Sequence, residues 1–572
     1  MRGSKAVLTL LERQGVDVMF GYPGGMTLPL YDDLIDSDIH HVLVRHEQCA
    51  AHMADGYARA TGKPGVCMAT SGPGATNLVT GVATAYMDSA PMIVLTGQVP
   101  VNMIGNMAFQ EADIFSLMMP ITKHNFRVLD VKDIPEAVKR GWGIAMNGRM
   151  GPVHIDLPVD VLKTDIPEER LLEEFPVPSP FEDFSGMLEA VKLLKQAERP
   201  ILLVGGGAMW SNAEHEVLKL CEMLMAPVVT SMMGKGIINE DHPLCLGMIG
   251  MHGREVAMRA FLDCDVMVAI GSRFSDRSSG LPSELPEGVK IIHIDIDPME
   301  AGKNPRTKVR LVGDAKKALQ LMIKGLGKAR GDNAWSLRMK EVRSQCECDL
   351  DFEEDSIKPQ NVISMLNQIL DDDAYVCTEV GQNQMWAAHF YKTHMARHFI
   401  TSGGFGTMGF GFPASLGVKY AHRDKQVIDI AGDGSLQMVC QEFATAVNED
   451  LPVVVVLLNN GWLGMVKQWQ KLFNNKRYSG TDLRRNPDFV ALARAFGADG
   501  IKVDKVSELR EALKGALKSG VPYVVDIHVD PEEDILPMQP GGKSSREVIR
   551  GRCNWKNGAC SSSTIDFTPR MP

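Results

Sequence analysis

Asp433 and Asn460, 27 residues apart, are the side chains whose types and spacing point most directly to a chemistry. Each follows a strand-like run, QVIDIAG before the first and PVVVVLL before the second, and the intervening SLQMVCQEFATAVNED is patterned as a helix. A strand–helix–strand unit of this length joins neighbouring parallel strands through a right-handed crossover. Both oxygen-bearing side chains then project from the carboxyl edge of one sheet, where ligands bind in open α/β folds. A carboxylate, an amide oxygen and a nearby backbone carbonyl are hard ligands suited to Mg²⁺, which completes its shell with water and phosphate oxygens. Gly432 and Gly434 permit close backbone approach, and the helix after Gly434 turns its positive N-terminus toward the same spot. The spacing therefore predicts a Mg²⁺-bound diphosphate.

Three α/β blocks are expected to position these groups. A chain of 572 residues suffices for about three domains at roughly 150–200 residues each. The first block, 1–165, carries strand candidates VMFGYPGG, HVLVRH, GVCMATSG and PMIVLTG and closes with GPVHIDLP. The acidic, Pro-bearing TDIPEERLLEEFPVPSPFEDFSG reads as a linker. The second block, 187–325, holds PILLVGGG, APVVTS, VMVAIGS and KIIHIDID, and a charged stretch over 325–358 reads as a helical connector. The third block, 359–530, contains YVCTEVG, the Gly-rich SGGFGTMGFGFP, the two strands above and YVVDIHVD. Strands alternating with helices imply three doubly wound parallel sheets, each covered on both faces. The tail, 531–572, lacks periodicity; it is either a mobile end or a segment that folds over the active site.

Composition narrows the partners. A net charge of −11 argues against nucleic acid, which needs a basic face. No apolar run approaches the ~20 residues of a membrane span. The chain enters the helix-like KAVLTLLERQG almost at once, without a visible signal or transit peptide, so a cytoplasmic protein is expected. Eleven cysteines without scaffold spacing read as reduced thiols, and the pairs Cys346/Cys348 and Cys553/Cys560 lack the partners of a zinc motif.

The stretches GYPGG, RHEQCAAHMADGYARATGKPGV, TSGPGATN, FQEADIF, KHNF, GRMGPVHIDLP, MHG, SRFSDR, IDIDP, GTMGFGFPAS, GDGSLQM and NNGWLGMVKQWQ occur in that order. Together they resemble the catalytic subunits of the acetolactate synthase (acetohydroxyacid synthase) family of thiamine-diphosphate enzymes, over nearly the whole chain to about residue 550. The resemblance implies a pyrimidine-binding domain, a central FAD-binding domain and a diphosphate-binding domain, with active sites between subunits. It implies thiamine diphosphate, Mg²⁺ and FAD as cofactors and 2-oxoacids as substrates. Pyruvate would be decarboxylated and its two-carbon unit passed to a second pyruvate or to 2-oxobutanoate, early steps toward valine, leucine and isoleucine.

Site residues follow from the matching motifs. Glu47 begins a helix pattern, where the helix dipole alone favours an acid. The resemblance makes it the carboxylic group that exchanges a proton with the cofactor's aminopyrimidine, a task suited to a raised pKa. Asp433 and Asn460, with the carbonyl of Trp462, would hold the metal. Gly406 and Met408 would support the aminopyrimidine, Gln382 would approach the diphosphate, and Gly432, Gly434, Ser435 and Met465 would also contact the coenzyme. Gln110 would approach the reacting centre, with Lys123, Phe109 and Met251 along the access channel. For FAD the matching residues are Arg149, Gly205, Gly206, Met251, His252, Gly253, Arg254, Gly271, Arg273, Asp295 and Asp297, the arginines matched to phosphate oxygens. Trp469 would favour 2-oxobutanoate and Arg277 would meet the acceptor carboxylate.

Two positions depart from the family pattern: Asn383 replaces the usual His of the GQ-H-Q motif, and Ser275 replaces the first Asp of RFDDR. Alternatives on the same scaffold are a pyruvate oxidase, a sulfoacetaldehyde acetyltransferase and a glyoxylate carboligase. The last lacks the activating Glu, and Trp469 within MVKQW favours acetolactate synthase over the other two. A catalytically silent cofactor-binding chain is disfavoured by intact Glu47, Asp433 and Asn460. The residues leave open homodimer or homotetramer, and whether a small regulatory subunit binds.

Overall fold

The computed structural model describes residues 1–279, 285–286, 288–345, 356–540 and 548–550; Cys346, Cys348, Cys553, Cys560, most of the tail and part of the 325–358 connector lie outside them. The first sheet comprises β1 (Val18–Tyr22), β2 (His40–Leu43), β3 (Gly65–Ala69), β4 (Met92–Gln98), β5 (His124–Arg127) and β6 (Pro152–Pro158), ordered β2-β1-β3-β4-β6-β5. The second comprises β7 (Pro200–Val204), β8 (Val228–Thr230), β9 (Cys245–Met248), β10 (Val266–Ile270), β11 (Lys290–Asp295) and β12 (Thr307–Val312), ordered β12-β11-β10-β7-β8-β9. The third comprises β13 (Tyr375–Thr378), β14 (Phe399–Thr401), β15 (Val427–Gly432), β16 (Val454–Asn459), β17 (Asp499–Val503) and β18 (Tyr523–His528), ordered β14-β13-β15-β16-β18-β17. Every strand pairing is parallel.

Interior strands such as VMVAI of β10 and MIVLTGQ of β4 are buried at every residue, as helices on both faces require. The strands without a sequence signal, β5, β9, β12, β14 and β17, all lie at sheet edges. With one neighbouring strand instead of two, β5 is only partly buried and β17 exposes three of its five residues, so neither needs a continuous apolar run. Each sheet also has one place where consecutive connections diverge to opposite sides: between β1 and β3, between β7 and β10, and between β13 and β15. Crevices for ligands open at such switch points.

The helix expected between β15 and β16 is broken into three pieces, Asp433–Leu436, a 3₁₀ turn at Cys440–Glu442, and Phe443–Asn448. Tertiary contact overrides the helical pattern. Val439 leaves helical geometry (φ −135°, ψ 11°) with its side chain in the core, and the buried Glu442 accepts the N–H of Arg45 at 3.0 Å and the Thr445 hydroxyl at 2.7 Å.

The first and third units share one hydrophobic core, which includes Met53, Tyr57, Phe410, Phe412 and Val455. Its centre is the crossing of helices Glu47–Thr61 and Gly411–Ala421, where a Cβ on Gly56 would stand 2.1 Å from the Ala414 carbonyl oxygen. The same crossing holds a buried ion-pair group: Arg59 donates to Asp55 at 2.5 Å and to Asp88 at 3.2 Å, and reaches the Thr401 carbonyl at 2.8 Å. All described cysteines are free thiols. No helix among the described residues is long and apolar enough to cross a membrane.

Candidate functional site

The third sheet carries a cleft of about 90 Å³ at the carboxyl ends of β13, β15 and β16, open in part to solvent. It gathers Gln382, Asn383, Met408, Gly432, Gly434, Ser435, Asn460, Trp462 and Met465 around Asp433. Asp433 opens the short helix after β15 with Gly432 as its N-cap, and only 2% of its surface is exposed. Burial pushes its carboxyl from 3.8 up to about 7, against the pull of nearby backbone N–H groups and of the Asn486 amide, which donates to Oδ2 at 2.8 Å. Among the described residues no basic side chain forms an ion pair with it. A buried carboxylate without a cation is costly, so a ligand of positive charge is the natural complement.

An amide chain fixes the neighbouring loops. Asn460 accepts the Trp462 N–H at 2.9 Å and donates to Gln382 Oε1 at 3.3 Å, while Gln382 Nε2 donates to Gln468 Oε1 at 2.8 Å. A Cβ on Gly464 would fall 2.1 Å from Gln382 Oε1 and 2.7 Å from Asn460 Nδ2, so a side chain there would displace the amide pair. Asn383 donates to the Ile430 carbonyl at 2.8 Å, which directs its own oxygen toward Gly381 and Gly432. Among the described residues no three His, Cys, Asp or Glu side chains converge on a metal position. A divalent ion beside Asp433 would therefore rely on amide, carbonyl and phosphate oxygens, the set Mg²⁺ accepts.

A larger cavity of about 840 Å³ opens at the β7/β10 switch point and runs to the third unit. Gly205, Gly206, Gly271, Arg149, Arg273, Asp295, Met251 and His252 line it, and so do Arg277, Trp469 and Gly406. Val380, Gly381 and Met465 border both cavities, so the two are adjoining. Arg149 donates to Ser89 Oγ at 2.9 Å and stands 3.8 Å from Asp297. Burial, then the positive charge of Arg149, holds the Arg273 guanidinium below its usual range. Two guanidiniums facing one cavity suit an anionic ligand. Burial pushes Asp295 up to about 6 and His252 down to about 3. Arg277 lies 5.8 Å over the Trp469 ring. Ser275 pairs with Ser278 at 3.0 Å across the hydroxyls.

Three residues expected at FAD do not line this cavity. Gly253 belongs to a smaller cleft with Pro537 and Gln539, Arg254 starts the Glu255–Asp263 helix, and Asp297 accepts the Met299 N–H at 2.9 Å.

Glu47 lies at the carboxyl edge of the first sheet, half-buried, and accepts from Asn77 Nδ2 at 2.9 Å. The Gln110 backbone has φ +57° and its carbonyl meets Gly72, while Phe109 is 83% exposed. Lys123 donates to the carbonyls of Ile144 and, at 2.6 Å, Asn147; burial, then Arg149, lowers its ammonium to about 8. None of Glu47, Phe109, Gln110 and Lys123 lines either of these two cavities in its own chain. Asn77 and Gln468 fall inside the motifs TSGPGATN and NNGWLGMVKQWQ without an assigned role, and Asn486 lies outside every motif, although each touches an expected site residue.

Comparison with known proteins gives this geometry a family. Models described as the N-terminal TPP binding, central and C-terminal TPP binding domains of thiamine pyrophosphate enzymes match residues 1–117, 187–322 and 379–527. The probable acetolactate synthase large subunit of Methanocaldococcus jannaschii is 48% identical, over 96% of this chain and 95% of its own. The chain belongs to the acetolactate synthase large-subunit family. Other members are the large subunits of Parasynechococcus marenigrum, 44% identical over 96% of this chain and 90% of that one, and of Corynebacterium glutamicum, 43% identical over the same shares. Asp433 and most of the residues around its cleft fall within the matched C-terminal TPP binding domain, and Glu47 within the N-terminal one.

Proposed function

We propose that the chain is the catalytic subunit of an acetolactate synthase that takes pyruvate as donor and pyruvate or 2-oxobutanoate as acceptor. The observation that carries this reading is the buried Asp433, without a basic partner among the described residues, facing Asn460 and Trp462 in a chain matched nearly end to end by acetolactate synthase large subunits. Asp433, the Asn460 oxygen and the Trp462 carbonyl would hold Mg²⁺, with Gly434 and Ser435 at the helix start meeting the phosphates. Gln382 and Gly432 border the same phosphates, and Gly406 and Met408 support the aminopyrimidine ring. Thiamine diphosphate, when bound, supplies the nucleophilic carbon that takes up the two-carbon unit as carbon dioxide leaves.

Glu47 would hold and return a proton at the far pyrimidine nitrogen, oriented by the Asn77 amide. Because Glu47 lines neither cavity of its own chain, the reading places it in the site of a second copy. Met107 (94% exposed) and Phe109 are the apolar side chains beside Gln110 that such a copy would cover. Arg277 would meet the acceptor carboxylate and Trp469 the extra methyl of 2-oxobutanoate. Arg149 and Arg273 support FAD as the occupant of the central cavity. The relatives' designation as large subunits supports a small subunit as a further partner.

Formation of acetolactate from pyruvate by the purified chain, dependent on Mg²⁺ and thiamine diphosphate, tests the reading. Carbon dioxide release without acetolactate, or no turnover at all with the small subunit added, would overturn it.

A further inference from the structure

Glu379 and Asp429 form a buried carboxyl pair that the proposed chemistry leaves unused. Glu379 directly follows β13 and Asp429 lies in β15; Cys377 pairs with Asp429 in the parallel register, so residues 379 and 429 project on the same face of the sheet, offset by one pleat. Both side chains have 0% exposure. Above them begins the Gly411–Ala421 helix, where a Cβ on Gly411 would stand 2.3 Å from Asp429 Oδ1 and 2.5 Å from the Glu379 nitrogen.

The two carboxyls are treated unequally. Glu379 accepts the Gly409 N–H at 2.7 Å on one oxygen and the Phe412 N–H at 3.1 Å on the other. Asp429 has no hydrogen-bond partner on either oxygen. Among the described residues neither has an ion-pair partner; Arg59, whose charge is felt by the neighbouring Cys377, is already held by Asp55 and Asp88. The remaining titratable neighbours are thiols, Cys377 on β13 and Cys49 on the Glu47–Thr61 helix, both kept neutral by burial. Phe410, at the middle of the turn, is packed between His52 and Arg59. Two like charges in such a site cannot both persist, and burial, then Glu379, pushes Asp429 well up.

We propose that Glu379 and Asp429 share one proton and act as positioning residues: an ionised Glu379 clamps the backbone of the Gly409–Phe412 turn and so sets the Gly406–Met408 loop against the cofactor. The neutral member is Asp429, the one that gives up nothing by holding the proton. Glu379 ionised satisfies two N–H groups that a neutral side chain could satisfy only in part. The inference rests on the reading that this loop supports the thiamine pyrimidine.

Two measurements test it on the full chain. Infrared spectra of the cofactor-free protein at about pH 8 should show the C=O stretch of a protonated carboxyl that is missing from Asp429→Asn. Identical spectra in that region would overturn the shared proton. Titration of thiamine diphosphate with Mg²⁺, followed by tryptophan fluorescence, should give an affinity about tenfold weaker for Glu379→Gln than for the native chain, with the circular dichroism melt retained. Native affinity in that variant would overturn the clamp. If the native chain itself fails to bind the cofactor, the functional reading falls, and the infrared result still decides the proton. If Glu379→Gln does not fold, the infrared comparison alone decides.

Discussion

Replacing Asp433 with Asn should stabilise the metal-free protein while abolishing its response to Mg²⁺ and thiamine diphosphate. Asp433 is 2% exposed, and burial lifts its carboxyl from 3.8 to about 7. At about 1.4 kcal/mol per pH unit, keeping that group ionised in the folded, metal-free chain costs about 4 kcal/mol. The folded-state value lies above the unfolded one, so the folded chain holds this proton more tightly. Stability from the group is therefore complete below about pH 4 and is lost as pH rises to about 7. Asn has no charge to desolvate and keeps an oxygen for the Asn486 donor at 2.8 Å. In chelator, the unfolding midpoint of Asp433→Asn should exceed that of the native chain at about pH 8 by the equivalent of up to about 4 kcal/mol, and the gap should close toward about pH 4. With Mg²⁺ and thiamine diphosphate at about 100 times Kd, the native chain should gain about 2.7 kcal/mol and the variant almost nothing. Equal metal-free stabilities at about pH 8, or equal gains on adding the cofactor, would refute the reasoning.

Other outcomes follow from the same geometry. Glu47→Gln should bind thiamine diphosphate with near-native affinity in an equilibrium titration yet lose about 10²–10⁴-fold in turnover, the span of acid–base assistance; near-native turnover would remove Glu47 from the proton path. Trp469→Leu should shift the product ratio of a pyruvate and 2-oxobutanoate competition toward acetolactate by the equivalent of about 1–3 kcal/mol, and an unchanged ratio would remove the indole from acceptor choice. Purified protein reconstituted with FAD should show flavin absorbance after gel filtration, and Arg273→Ala should lose it; flavin retained equally by both would place the phosphates elsewhere.

The interior of each sheet was readable because strands buried on both faces are largely apolar: VMVAI, MIVLTGQ and VVVLLN announce themselves. Of the edge strands only β2 was legible; β5 is only partly buried and β17 is mostly exposed, so their sequences, HNFR and DGIKV, need no pattern. Asp433 and Asn460 were legible because two adjoining parallel strands place the residues after their ends side by side whatever else the chain does. The single helix expected between them failed because Glu442 is recruited by Arg45 of the first unit and Val439 by the shared core, contacts no local window contains. For the same reason the pairings of Asn77, Asn486 and Gln468 were not legible, although Asn77 and Gln468 lie in recognised motifs: each meets its site residue across 30 or more positions of chain. The Glu379–Asp429 pair was hidden too, because two acids 50 residues apart look solvated until the sheet register puts them on one covered face.

The account turns on one coenzyme reaching from Asp433 of one chain to Glu47 of another. Mixed dimers of Glu47→Gln and Asp433→Asn chains, each inactive alone, decide it. Sites built between chains leave one site per mixed dimer with both groups intact, so co-purified heterodimers should regain about half the native acetolactate production. Heterodimers as inactive as their parents would mean that Glu47 and Asp433 serve the same chain or different sites, and would contradict the account.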